Sequence, residues 1–170
     1  MKIKSSLLFL IVMISLESCK TSESSLGNEH IVDKYMHIFK SLSNDEVKSI
    51  TENVTLRHFD EEYHGNQIEY NTIDGKTFLW YPNNKLLVVG HYKIKENKII
   101  CFNYNGKVKN HITGEIGGVW NCQEIISYFN RIKEFKNSNV FNFYEDKIIP
   151  YVLNRFPEET IESLLNKIEK

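Results

Sequence analysis

The chain has no alanine, three prolines, eight glycines and three cysteines among its 170 residues. The missing alanine, beside abundant Asn, Lys and Ile, fits AT-rich coding and carries no functional consequence. Neither charge sign dominates, with 21 Lys and Arg against 22 Asp and Glu. A nucleic-acid surface needs clustered excess basic residues to displace counterions, so nucleic acid is excluded as a partner. There is no internal repeat and no low-complexity block. Several catalytic signatures are also absent: no Gly-Lys-Ser/Thr phosphate loop, no Gly-x-Ser-x-Gly, no His-Glu-x-x-His and no Cys-x-x-Cys. The longest apolar run, Leu7 to Leu16, is too short to span a bilayer comfortably.

That run has a context. Lys2 and Lys4 give a positive start, the apolar stretch follows, and small and polar residues lead to Cys19. The pattern reads as a secretory signal peptide. The Leu16-Glu17-Ser18-Cys19 ending resembles the lipobox of bacterial lipoprotein precursors. Glu17 departs from the small, uncharged residue usual there. The resemblance covers residues 1–19 only. It implies cleavage before Cys19 and lipidation of Cys19, with residues 1–18 removed. Each buried lipid CH₂ contributes roughly 0.8 kcal/mol to membrane affinity, so several acyl chains hold a domain firmly. The implied address is the bacterial cell envelope. With Lys rather than Asp after the lipid site, the resemblance favours the outer membrane.

Residues 19–29 then form the lipidated Cys and a tether. Lys20 to Glu29 is Ser-rich and polar, and it cannot bury enough surface to offset its ordering entropy. Residues 30–170 suffice for one domain with a genuine core. With Cys19 carrying lipid, Cys101 and Cys122 remain. Two thiols in an oxidising compartment pair, so a structural disulfide is expected.

Along the body, Asn28 caps a helix reaching Leu42, with Ile31, Tyr35, Ile38, Phe39 and Leu42 on one face. Ser43 and Glu46 form a capping-box pattern for a short second helix through Val47 and Ile50. Strands follow at Val54–Phe59, Gln67–Ile73, Lys76–Tyr81, Lys85–Lys95 and Lys98–Tyr104, joined by turns such as Asp74-Gly75. Gly90 suggests a bulge or bend. Val119 to Cys122 reads as a strand beside Cys101. Ile125, Phe129, Ile132 and Phe135 suggest a helix, although Trp120 to Tyr128 also reads as strand. Asn139–Tyr144 reads as an added strand. Pro157 sits at the first turn of a final helix bearing Ile161, Leu164, Leu165 and Ile168. The fold class expected is α+β: an antiparallel meander of five or six strands flanked by N-terminal and C-terminal helices.

Candidate chemistry is sparse. His30, Asp33 and His37 share a helix face, yet no dense Cys/His cluster supports a metal, and neither metal nor cofactor is expected. His58, Glu61, Glu62 and His64, with Asp60 and Tyr63, form a polar cluster between the first two strands. Carboxylates with histidine serve acid–base catalysis when burial separates their pKa values; a solvated charged loop is the simpler reading. His91 and His111 are isolated. Gly114 to Gly118 reads as turn chemistry, and Asn53-Val54-Thr55 is a sequon of little use to a bacterial lipoprotein. Tyr70, Phe78, Trp80, Tyr81, Tyr92, Phe102, Tyr104 and Trp120 lie on the expected sheet. Any left on an uncovered face would form a platform for protein or sugar.

The sequence thus points to a non-enzymatic, lipid-anchored envelope protein that binds a protein partner, by class analogy an inhibitor or immunity type. Two alternatives stand beside it. One is a small hydrolase or metal-dependent enzyme using His58, Glu61, Glu62 and His64. The other is a solute-binding or structural lipoprotein, marked by an apolar pocket.

Overall fold

Short segments of alternating polar and apolar residues, cut by Asn, Asp and Gly turns, fold here as an antiparallel meander. In the computed structural model the described residues are 37, 38, 40–106, 109, 114 and 116–169. They belong, except for His37, to the compact unit Ile38–Lys170. Seven strands form one curled sheet: β1 (Val54–Asp60), β2 (Gly65–Asn71), β3 (Lys76–Trp80), β4 (Val88–Lys95), β5 (Ile99–Tyr104), β6 (Asn121–Glu124) and β7 (Ile132–Asn137). Their order is β6-β5-β4-β3-β2-β1-β7, and every neighbouring pair is antiparallel. Short helices accompany them among the described residues, including α1 (Asn44–Ser49), α2 (Ile125–Phe129) and α3 (Ile161–Ile168). The fold is mostly β, with helices at both ends. None of the described helices is long and apolar enough to cross a membrane.

The two sheet faces bury different things. Strand pairing aligns Leu56 with Glu69, Glu69 with Leu79, Leu79 with Val88, and Tyr92 with Phe102 on the inner face. There Val54, Leu56, Tyr92, Ile100 and Phe102 pack with Val47 of α1 and with Ile125 and Tyr128 of α2. On the outer face, Ile68, Tyr70, Phe78 and Trp80 pack under the C-terminal segment. Phe141 and Phe143 meet the Trp80 ring edge-on at 5.7 and 6.3 Å. Ile161 and Leu164 of α3 close this core.

Polar side chains pin the outer layer. Arg57, nearly fully buried, donates from Nε to Glu134 Oε1 at 2.9 Å and from Nη1 to Glu158 Oε1 at 2.8 Å. Glu134 Oε2 in turn accepts from the Ile161 backbone N–H at the start of α3, at 3.0 Å. Asn66 donates to the Pro157 carbonyl at 2.6 Å and accepts from the Glu159 N–H at 3.0 Å, tying β2 to the segment before α3. Gly65 stands where a Cβ would lie 2.2 Å from the Arg155 carbonyl oxygen.

Several expectations hold. The Ser43 capping box forms, with Ser43 Oγ accepting from the Glu46 N–H at 3.2 Å and Glu46 Oε2 accepting from the Ser43 N–H at 2.7 Å. Cys101 and Cys122 are directly paired across β5 and β6 and form a disulfide. Other expectations are corrected. The sheet has seven strands among the described residues, not five or six. The apolar spacing from Ile125 to Phe135 fits a helix only as far as Phe129. Residues 132–137 are β7, paired with β1, where Glu134 lies opposite Arg57 and accepts from it. Asn139–Tyr144 is not a strand: the Asn139 side chain bonds both backbone groups of Phe143 and loops the chain. Pro157 precedes α3 rather than opening it, and Thr160 caps the helix by accepting from the Ser163 N–H. The fourth strand starts at Val88, with Leu86 bridging Ile148. Gly90 makes no bulge, since pairing runs through it. A Cβ there would stand 2.8 Å from the Tyr104 ring, so its absence lets that ring lie on β4. Of the helix expected up to Leu42, all but residues 37, 38 and 40–42 lies outside the described residues.

Candidate functional site

Along β2, Gln67, Glu69 and Asn71 share the inner face, opposite Asn66, Ile68 and Tyr70. A polar row of this kind normally faces water. Here the sheet curls and α2 lies over it, so Glu69 and Asn71 are buried. Gln67 and Glu69 line a cavity of about 520 Å³ on the inner face. His58 and Glu69 lie in the floor, and Leu79 and Val88 continue it across β3 and β4. Phe102, Tyr104 and Tyr128 supply aromatic walls, while Gln123 and Arg131 stand at the β6 side.

The floor is a hydrogen-bonded cluster. Asn71 Nδ2 donates to the Tyr128 hydroxyl at 3.1 Å, and that hydroxyl donates to Glu69 Oε1 at 3.0 Å. Thr77 Oγ1 also donates to Glu69 Oε1, at 3.3 Å. Burial pushes the Glu69 carboxyl up to about 7, against the lowering effect of Tyr128, Asn71, Thr77 and Arg131. His58 lies next to it, with its ring centroid 5.1 Å from that of Tyr128. Its Nε2 is 3.7 Å from Glu69 Oε2, beyond hydrogen-bond reach, and has no partner. Burial, with the Arg131 and Arg57 charges adding to it, pushes His58 down to about 3. At neutral pH the ring is uncharged, so this contact is not an ion pair.

The cavity walls have separate supports. Phe102 and Tyr104 stack nearly parallel, with centroids 6.0 Å apart, and Tyr92 continues the row at 6.2 Å. Arg131 Nη2 donates to Gln123 Oε1 at 2.8 Å, joining the start of β7 to β6. The disulfide fastens β6 to β5 from one residue away.

Of the expected site residues, His58 and His64 both reach the cavity, and His64 Nδ1 lies 3.2 Å from the Tyr81 hydroxyl. Glu61 and Glu62 are exposed on the β1–β2 turn, outside the cavity lining. Asp60 holds that turn by accepting from the Glu62 and Tyr63 N–H groups at 3.1 and 3.2 Å. Cys19, His30, Asp33 and His111 lie outside the described residues; His37 and His91 are exposed. Trp120 is partly exposed beside the cavity, with Lys93 Nζ 3.9 Å from its ring centre. No group of three or more potential metal ligands occurs among the described residues. Glu69, Tyr128 and Arg131 were not singled out by the sequence. The legible signal for Glu69 was the Gln67-Glu69-Asn71 row, which period-2 reasoning assigns to solvent.

The chain matches no protein-family model, and no curated protein or solved structure is similar to it.

Proposed function

We propose that this protein is a lipid-anchored component of a bacterial cell envelope whose sheet cavity binds a small molecule without transforming it. One observation carries the binding reading: a cavity of about 520 Å³ with His58 in its floor, the ring's Nε2 buried and without a hydrogen-bond partner. Ligand pockets of this kind span roughly 300–1,000 Å³ and join apolar walls to a few convergent polar groups. An unpaired buried ring nitrogen costs about 1–3 kcal/mol, a cost that a ligand atom would offset. The lipid anchor rests on the resemblance of residues 1–19 to lipoprotein precursors.

The test is differential scanning fluorimetry on the full chain in detergent, with the small-molecule fraction of an envelope extract. A ligand at a hundred times its Kd adds roughly 2.7 kcal/mol to stability. The expected result is a rise in Tm for the parent and none for Leu79→Trp, which fills the floor. A flat response in the parent sinks the reading.

A protein partner is the second reading. Ile116, Val119 and Trp120 are exposed apolar side chains in one segment at the cavity edge. Cross-linking at position 119 to one envelope protein would favour it; an inhibitor or immunity role is the class of partner imagined.

A further inference from the structure

Resting on the small-molecule reading, we propose that the cavity takes a neutral polyhydroxylated ligand, a mono- or disaccharide. The floor asks for a group that both donates and accepts. His58 Nε2 and Glu69 Oε2, both buried, are 3.7 Å apart, a spacing that one hydroxyl oxygen entering the floor would bridge. A hydroxyl donates to Nε2 in one ring tautomer and accepts from it in the other. An ammonium only donates and a carboxylate only accepts.

The walls match the rest of such a ligand. Gln67, Asn84, Asn121 and Gln123 line the cavity, and each side-chain amide offers a donor and an acceptor, as a pair of adjacent hydroxyls requires. Phe102 and Tyr104 supply rings for the apolar C–H faces of a sugar. Arg131 and Lys109 bring positive charge to the lining, which makes an anion the main rival. The benzoate probe below decides between an anion and a sugar.

The probes are glucose, maltose and N-acetylglucosamine, set against benzoate, benzylamine and indole. The readout is the ¹³C–¹H ring signals of the histidines in the full chain, held in a detergent without sugar headgroups. The His58 signal is assigned with His58→Gln, and His91, exposed on β4, is the control. The proposal expects a sugar to shift the His58 signal and leave His91 unmoved. It also expects Gln67→Ala and Asn121→Ala to weaken that binding about tenfold each, with their Tm values unchanged. If only benzoate, benzylamine or indole moves His58, the cavity reading stands and the sugar assignment is overturned. If no probe moves His58, while the fluorimetry above finds a ligand, the sugar assignment also falls. Silence in both experiments overturns both readings.

Discussion

His58 and Glu69 face each other from neighbouring strands, both buried, with Nε2 and Oε2 3.7 Å apart and no hydrogen bond between them. Burial displaces them in opposite directions, His58 down to about 3 and Glu69 up to about 7. In this pair each group is pushed towards its neutral form.

Stability should depend on pH through both. Between about 4.5 and 7 folded Glu69 holds a proton that the unfolded chain has lost, so its contribution is present below 4.5 and disappears as pH rises through 7. His58 acts the other way. Below about 6.5 the unfolded chain takes up a proton that the folded ring refuses until about 3, so that contribution is lost as pH falls across this window. The two slopes oppose each other between 4.5 and 6.5. Glu69→Gln should remove the alkaline loss, on the order of 3 kcal/mol, and His58→Gln the acid one. Urea unfolding at stepped pH checks this; parent and variant curves that run parallel would refute it.

The Cys101–Cys122 bridge closes a sequence separation of 21 residues. In the chain-entropy model such a loop contributes roughly 3 kcal/mol. Reduction with dithiothreitol, or Cys101→Ala with Cys122→Ser, should lower unfolding free energy by about that amount. Since β6 carries Asn121 and Gln123 into the cavity, ligand binding should weaken as well. Unchanged urea midpoints on reduction would show that the bridge carries no stability.

Arg57 is buried, while its partners Glu134 and Glu158 are more exposed. Arg57→Ala leaves Glu134 without its cation at the start of α3 and should cost about 3 kcal/mol. Arg57→Lys should restore only part of this, because an ammonium cannot fork to two carboxylates as a guanidinium does. Equal stability of the Lys variant and the parent, by urea unfolding, would show that the fork is unimportant.

Cys19 should carry the lipid. Growth with an alkynyl fatty acid, followed by azide tagging, should label the parent and not Cys19→Ser. Label retained by the Ser variant would remove the basis for an envelope anchor.

Much of the sheet was legible because its signals are local. Period-2 alternation marks β1 to β5, Asp74-Gly75 turns β2 into β3, and the Ser43–Glu46 box starts α1 within four residues. The pairing of Cys101 with Cys122 likewise followed from residue type. Tertiary contacts alone decided the rest. Residues 132–137 form β7 by pairing with β1, distant in sequence, with Glu134 opposite Arg57. Asn139–Tyr144 gave up strand pairing so that Phe141 and Phe143 could reach the Trp80 ring. The site followed the same rule. Gln67, Glu69 and Asn71 form a polar row that faces water on a flat sheet. Curling the sheet and laying Tyr128 over it buried Glu69 and Asn71 and left Gln67 and Glu69 lining a cavity. Alternation states which side chains share a face; only sheet curvature and the covering helix decide which face loses its water, and that loss is what moves the pKa values of His58 and Glu69.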